Sequence, residues 1–294
     1  MKRIRERLIR YLLTILAFSS LVFLIGIIVV LFTEALPIFR KVTVLEFLFG
    51  RTWYPTGEPA DFGILPLIIG SFWVTLGAMA VCVPLGVGSA LYLNELAGTR
   101  QKAVLKPAIE VLAGVPSIVY GFFGMVVIAP FMQDLLNLPI GLCSFTASLI
   151  LGLMATPTVA SVAEDALGYV PRSFREASFA LGADRWQTLT KVVIPAAGSG
   201  LSTAIILGMS RAIGETMAVL MVGGNAPVMP KGLGSMVRTL TMNIITDMSY
   251  ATGDHLTSLF ATGIVLFAFI LILNLAVQVF LKRSISEIEG AAGA

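Results

Sequence analysis

The sequence predicts an all-α membrane protein with six transmembrane helices. Of its 294 residues, 57% are hydrophobic and only 13% are charged, whereas about a quarter of the residues in a soluble domain carry a charge. Six apolar segments have the length that a bilayer requires, and Lys and Arg are concentrated in alternate connections between them. Together these observations exclude a soluble globular protein.

The first helix is predicted from a basic start followed by an apolar run. Residues 1–10 contain five basic side chains against one acid, and residues 11–32 are apolar throughout. This run is too long for the core of a signal peptide, and no small-residue cleavage site follows it, so we expect a retained membrane anchor. Residues 33–64 have mixed composition with interfacial aromatic residues, which predicts an extramembrane segment.

Five further apolar segments form the predicted helical core, residues 65–281, which precedes a tail at 282–294. We expect the core helices at 65–93, 107–132, 145–163, 200–224 and 259–281. The second of these contains Pro116 among several glycines (GVPSIVYGFFGM), which predicts a kinked helix or a broken one that lines a cavity.

The fifth predicted span, residues 200–224, carries Arg211 and Glu215 in its middle. An ionised side chain at that depth costs roughly 3 to more than 10 kcal/mol, so it usually faces a wet cavity, a partner or a substrate. The spacing of four residues predicts that both lie on one face of the same helix. This pattern favours an anion pathway, although the pair could instead neutralise itself and hold two helices together.

Basic residues predict the orientation of the chain. With six spans both termini lie on one side, and the termini and the connections on that side hold 14 Lys and Arg against 5 on the opposite side. The positive-inside rule therefore places both termini and the long amphipathic connection at 164–197 in the cytoplasm, and residues 33–64 in the periplasm. Within that connection, Gly182 is expected to separate two short helices.

The sequence lacks the motifs that several kinds of enzymatic chemistry require. The sequence contains no GxxxxGK[ST], GxSxG or HExxH pattern, so the chain has no recognisable nucleotide cradle or hydrolytic centre of its own. Cys82 and Cys143 lie in apolar surroundings and are interpreted as small buried residues. The single histidine, His255, has no neighbouring ligand cluster, so no metal site is predicted.

The 164–197 connection resembles the EAA motif of ABC importer permeases, E-A-A-x3-G-x9-I-x-L-P, with three mild departures. The matching residues are Glu176, Ala177, Ser178, Gly182, Val192, Ile194 and Pro195, and Ala183 lies beside the glycine. In that family the motif forms a coupling helix that sits in a cleft of a separate ATPase. The resemblance therefore implies that this coupling loop transmits the movement of a partner that binds ATP and magnesium, and that this chain needs no cofactor.

Three stretches in order, at 114–124, 176–195 and 210–225, resemble the permeases of the phosphate-specific Pst importers, and the PstC type more than the PstA type. The resemblance implies the type I, MetI-like permease fold and an inner-membrane location. It also implies three partners: a PstA-type permease, a PstB-type ATPase dimer and a PstS-type phosphate-binding protein. No nucleic acid is expected among the partners, and no covalent chemistry in this chain.

The candidate substrate pathway combines this resemblance with side-chain chemistry. A guanidinium group can grip a tetrahedral oxyanion through paired hydrogen bonds, which suits Arg211 to phosphate. An ionised Glu215 can accept a hydrogen bond from protonated phosphate, which fully ionised sulfate cannot offer. Four hydroxyl groups could also contact the anion: those of Ser210, Thr216, Ser117 and Tyr120. The glycines at 114, 121, 124, 208 and 214 are instead expected to be sites of close helix packing.

Three alternatives remain at this stage. The nearest is a permease for sulfate, molybdate or another oxyanion, which competition between anions for uptake would distinguish. A passive anion channel would need no ATPase and would lack an EAA loop. An intramembrane enzyme using Glu215 is disfavoured, because no second acid, nucleophile or metal ligand is found in the predicted spans.

Overall fold

The computed structural model describes residues 2–292, with side chains described for residues 9–279. Five helices in this part of the chain are long and apolar enough to cross a membrane. A sixth crossing results if two consecutive helical segments, Arg185–Ala196 and Gly198–Gly214, which are bent by 71° relative to each other, are taken as one span. The predicted all-α, six-span architecture is therefore confirmed.

The amino-terminal part consists of one long helix and a small outer layer. Helix α1 (Lys2–Ala35) contains the predicted first span and contacts the last helix. A 3-10 turn (Leu36–Arg40) and helix α2 (Val44–Phe49) follow. Two short antiparallel strands, β1 (Trp53–Tyr54) and β2 (Asp61–Phe62), then complete the segment before the core.

The centre of the protein is a packed helix pair. Helix α3 (Leu65–Leu91) continues into a π-helical turn (Tyr92–Leu96) and packs along helix α7 (Ser144–Gly168). The contact is close because small residues face the partner helix: a Cβ on Gly152 would lie 2.6 Å from the Cβ of Val81. Helix α7 extends to Gly168, which corrects the predicted end of this span and shortens the coupling loop to residues 169–197.

The third predicted span, 107–132, is wrong at its start. The chain forms helix α4 (Thr99–Ala113), breaks at residues 114–116, and resumes as α5 (Ser117–Phe123), a π-helical turn (Gly124–Ile128) and α6 (Ala129–Leu136). Proline lacks the N–H that a helix interior needs and disfavours the α conformation in the residue before it, so Pro116 starts α5 rather than continuing α4. The predicted break is thus present, and the candidate span is Ser117–Leu136.

The coupling loop contains the two short helices that its sequence predicts. Helix α8 (Arg172–Ala180) and helix α9 (Arg185–Thr188) are separated by Gly182, whose φ of +85° suits a residue without a Cβ. Asp184 caps α9 by accepting a hydrogen bond from the Gln187 backbone N–H at 2.7 Å. A π-helical turn (Leu189–Val193) and helix α10 (Ile194–Ala196) lead back to the core.

The carboxyl-terminal part contains a broken span and a long final helix. Helix α11 (Gly198–Gly214) is followed by the short helix α12 (Met217–Val222), and the predicted polar connection at 225–258 includes a buried helix, α13 (Leu240–Asp247). Helix α14 (Gly253–Ala292) begins before the predicted start of the sixth span at 259. Both cysteines are free and buried, as expected.

Candidate functional site

The candidate site is a break in the fifth span. Helix α11 ends at Gly214, and Glu215 has an extended backbone (φ −72°, ψ 135°) before α12 begins at Met217. The prediction that Arg211 and Glu215 share one face of a continuous helix is therefore wrong. Non-helical backbone within a membrane span is tolerated where protein buries it or where it lines a cavity, because its N–H and C=O groups need other partners.

Arg211 lies in the last turn of α11 and forms no ion pair with the side chains described for residues 9–279. Its Nε is buried without a hydrogen bond, and no carboxylate among the described side chains forms an ion pair with its guanidinium group. A self-neutralising pair with Glu215 is therefore not formed. A polar atom that is buried without a hydrogen bond costs free energy, so Arg211, although only half-buried as a residue, remains a candidate contact for an anion.

Glu215 is fixed by the helices on either side of the break. Its Oε1 accepts a hydrogen bond from the Ala218 backbone N–H at 3.2 Å, which caps the start of α12. Its carbonyl oxygen accepts a hydrogen bond from the Thr241 hydroxyl at 3.0 Å, so the buried helix α13 supports the break. Sequence reasoning missed Thr241, because its position in the predicted outer connection gave no sign of this contact.

Tyr120 carries its hydroxyl group on α5, the helix that packs against α12. The hydroxyl donates a hydrogen bond to the carbonyl oxygen of Leu112 at 2.9 Å, across the break between α4 and α5. Ser117, the first residue of α5, is partly exposed. Helices α5 and α12, one from each broken span, therefore pack against each other, while the pathway role of Tyr120 and Arg211 stays a prediction.

The other predicted hydroxyl groups have partners within the chain. Ser210 donates to the carbonyl oxygen of Ile206 at 2.9 Å and lies 3.0 Å from Oδ1 of Asn274 in α14. The Thr216 hydroxyl makes one long contact, 3.4 Å, with the carbonyl oxygen of Gly214. Ser210 therefore connects α11 to α14, whereas the Thr216 hydroxyl contacts the backbone at the break between α11 and α12.

Glycine residues allow several core helices to approach each other closely. A Cβ on Gly121 would lie 2.9 Å from the Cα of Ala218, and one on Gly124 would lie 2.7 Å from Ile150 Cγ1. Gly208 in α11 makes a similar approach to α7. The packing prediction is confirmed for these three, but it is wrong for Gly114, which meets only its own helix, and for Gly214, which has open space around it.

The coupling loop presents its motif residues on one surface. A shallow groove is lined by Ala177, Ser178, Gly182 and Ala183, together with flanking apolar and basic side chains. Glu176 is exposed, and Pro195 is partly buried at the start of α10. Bulky side chains project from the same region, with Leu181 89% exposed and Trp186 71% exposed. Unpartnered apolar area of this kind marks an interaction surface.

Two ionic clusters at the ends of the helices were missed by sequence reasoning. Glu164 is buried in α7 and pairs with Lys106 and, at 2.7 Å, with Lys102, both from α4. In the coupling loop, Arg175 pairs with Glu95 at 2.6 Å. The partners are 58 to 80 residues apart in sequence, so only the fold brings them together.

A third cluster lies near the outer strands. The buried carboxylate of Asp247 accepts hydrogen bonds from Trp53 Nε1 (3.1 Å), Arg238 Nη1 (3.2 Å) and the Tyr250 hydroxyl (2.7 Å), and it lies 3.3 Å from His255 Nε2. These residues come from β1, α13, α14 and their connections. The cluster therefore ties the outer segment to the core.

Comparison with known proteins agrees with this architecture. Residues 82–286 match the family model described as binding-protein-dependent transport system inner membrane component. The chain is 41% identical to the probable ABC transporter permease protein YqgH of Bacillus subtilis, over 79% of this chain and 77% of that protein. It is 33% identical to the phosphate transport system permease protein PstC of Mesorhizobium japonicum, over 84% and 80% of the two chains.

A solved structure supports the fold. The inward-facing MetNI methionine ABC transporter aligns with a TM-score of 0.54 at 20% identity, covering 77% of this chain and 94% of that chain. This likeness concerns the fold alone and confirms the predicted MetI-like permease architecture. Because the family model matches residues 82–286, the chain belongs to the family of binding-protein-dependent transport system inner membrane components.

Proposed function

We propose that this protein is the transmembrane permease subunit of an ATP-driven inorganic phosphate importer and forms half of its translocation pathway. The observation that carries the proposal is Arg211, whose Nε is buried without a hydrogen bond to any described residue, in the last turn of α11 before the helix break. The resemblance to PstC-type permeases over most of the chain supports phosphate as the anion.

The chemistry of the break suits a protonated tetrahedral anion. The Arg211 guanidinium group offers several N–H donors in a fixed plane, matched to two oxygens of one phosphate. Glu215 uses Oε1 to cap α12, so its second oxygen can accept a hydrogen bond that a P–OH group of protonated phosphate donates. A carboxylate near the arginine also weakens anion binding, which a transport site needs in order to release its ligand.

Three kinds of partner protein would complete the transporter. A PstA-type permease would complete the pore, a PstB-type ATPase dimer with ATP and magnesium would bind the coupling loop, and a PstS-type protein would deliver phosphate. The exposed motif surface around Glu176 and Leu181 supports the ATPase contact. In this arrangement both termini and the coupling loop are cytoplasmic, as the distribution of basic residues favours.

The proposed mechanism is alternating access. ATP-driven closure of the ATPase would draw the coupling loops together, close the inner side of the pore and open the outer side, where the delivered anion reaches Arg211. When the ATPase opens again, the inner side would open and release phosphate to the cytoplasm. The permease itself catalyses no covalent step.

The test is uptake in vesicles that contain the complete complex. We expect ATP-dependent accumulation of radiolabelled phosphate that an excess of unlabelled phosphate abolishes and an excess of sulfate or molybdate leaves intact. Competition by sulfate or molybdate equal to that by phosphate would assign the permease to another oxyanion. Uptake that persists without ATP would instead indicate a channel.

A further inference from the structure

We propose that Arg175 is a positioning residue that transmits movement of the coupling loop to the transmembrane helices. The inference rests on the proposed function, because the coupling loop is displaced only in a transporter with a partner ATPase. It concerns a side chain on the face of α8 that points to the membrane helices, whereas Glu176, its neighbour, is exposed.

Arg175 uses its whole guanidinium group to join three parts of the chain. Nη2 and Nε lie 2.6 and 3.2 Å from Glu95 Oε1, Nη1 donates to the Val170 carbonyl oxygen at 2.9 Å, and Nη2 reaches the Leu167 carbonyl oxygen at 3.4 Å. The two charged side chains are 17% and 20% exposed. The planar guanidinium fork permits this combination, whereas a lysine ammonium group lacks the geometry to pair side by side with the carboxylate.

These contacts connect α8 to the ends of two central helices. Glu95 belongs to the π-helical turn that ends α3, while Leu167 and Val170 lie at the end of α7. Helices α3 and α7 pack against each other, and both contact α11. A displacement of α8 therefore has a continuous path through packed helices to α11, which carries Arg211.

The other side chains of α8 offer no comparable connection. Ser178 is the buried residue of α8, and its hydroxyl lies 2.9 Å from that of Thr188, within the coupling loop itself. In the described part of the chain, the side-chain hydrogen bonds that run from α8 to the spans all come from Arg175. Without Arg175, the loop would remain attached through its two ends and through apolar packing of residues such as Val170 and Val193 against the spans, with no side-chain hydrogen bond from α8 to the spans among the described residues.

The test compares phosphate moved with ATP hydrolysed in vesicles that contain the complete complex. Two variants remove the pair in different ways: Arg175→Gln removes all four contacts, whereas Glu95→Gln leaves the bonds to the two carbonyl oxygens. We expect phosphate transported per ATP to fall by about tenfold in Arg175→Gln, within the range that residues along coupling networks produce. The fall should be smaller in Glu95→Gln, while ATP hydrolysis and copurification with the ATPase persist in both.

Two further variants sharpen the comparison. The charge exchange Arg175→Glu with Glu95→Arg should recover part of the ratio that either single reversal loses, because the link between α8 and α3 is restored. Arg172→Gln removes an exposed arginine from the same helix and should leave the ratio at the wild-type value.

The inference fails if the ratio in Arg175→Gln and Glu95→Gln equals that of the wild type, or if transport and ATP hydrolysis fall in equal proportion, as a loss of folding or assembly alone would cause. The proposed function fails separately, through the wild-type complex: absence of ATP-driven phosphate uptake there would contradict it whatever the Arg175 variants do.

Discussion

Two arginines in this protein have opposite surroundings. Arg238, near the outer strands, pairs with the buried Asp247, and its Nε also donates to the Asn225 carbonyl oxygen at 3.3 Å. Arg211, at the helix break, has a buried Nε with no acceptor. A carboxylate neutralises Arg238, which stabilises the fold, whereas no carboxylate among the described side chains pairs with Arg211, where the proposed function places an anion.

The cost of the two arrangements differs accordingly. A buried ion pair with additional hydrogen bonds roughly repays the free energy of desolvating its charges, whereas an unpaired buried charge does not. Because the buried Nε of Arg211 gains no hydrogen bond from the described residues, the difference between the two arginines fits the proposed function. Four variants test this difference; the first measures the largest effect on transport, and the other three measure effects on stability in decreasing order.

Arg211→Gln should have the largest effect on function. Hydrogen bonds to charged groups contribute about 1.5–3 kcal/mol, so the loss should slow phosphate uptake by roughly 10- to 150-fold while the complex still assembles. Uptake by vesicles with equal amounts of assembled complex is the measurement, with Glu215→Gln as a companion variant. Near-normal uptake in both variants would remove the pathway role of this break.

Asp247→Asn should have the largest effect on stability. The substitution keeps the size of the side chain but leaves the buried Arg238 without a counter-charge, which costs about 3–5 kcal/mol. Thermal unfolding of the detergent-solubilised protein measures it. The matched control is Asp254→Asn, since Asp254 pairs with Lys41 in an exposed position and its loss should cost less than about 1 kcal/mol. Equal shifts in both variants would contradict the structural role of the buried cluster.

Gly121→Ala tests the close packing between the two broken spans. The added Cβ would lie 2.9 Å from both the Ala218 Cα and the Met221 Sδ, so the helices must separate, at a cost of about 1–3 kcal/mol. In Gly88→Ala, where a Cβ meets nothing within 4 Å, thermal stability should stay the same or rise slightly because alanine favours helices. A stable Gly121→Ala variant with normal uptake would show that this contact tolerates rearrangement.

The Glu164 cluster should give a small, pH-dependent effect. The hydrogen bond that Lys106 donates to the Glu164 carboxylate raises the pKa of Lys106 above its ordinary 10.5. The pairing therefore stabilises the fold below that pH, and this stability is lost as pH rises through the folded-state pKa. Because Lys106 is 37% exposed, we expect the melting temperature to fall by roughly 2 °C or less. Glu164→Gln should remove this alkaline component, and an unchanged pH profile in that variant would assign the effect to other groups.

Sequence patterns predicted the spans well because each depends on local composition. Residues 11–32, 65–93 and 145–163 all fall within helices or their continuous extensions, and the proline and glycines at 114–124 predicted the break before α5. The two short helices of the coupling loop were also predictable, because the left-handed backbone conformation that separates them is encoded by a single residue, Gly182.

The rest depends on contacts between distant segments. Glu215 leaves the helical conformation within a stretch long enough to form one span, and Thr241, 26 residues later, supports that break. Buried helix α13 was interpreted as part of an outer connection because polar residues such as Asn243 and Asp247 conceal its burial. Their partners, including Trp53, lie up to 194 residues away, where no local pattern reveals them.

In the proposed function, the Nε of Arg211 has no hydrogen bond to the described residues because its ligand is a transiently bound phosphate. The most direct measurement is a structure of the complete complex, trapped during transport with phosphate bound. The account predicts a phosphate oxygen about 2.7–2.9 Å from a guanidinium nitrogen of Arg211. A carboxylate of the partner permease in that position, with phosphate bound elsewhere, would contradict it.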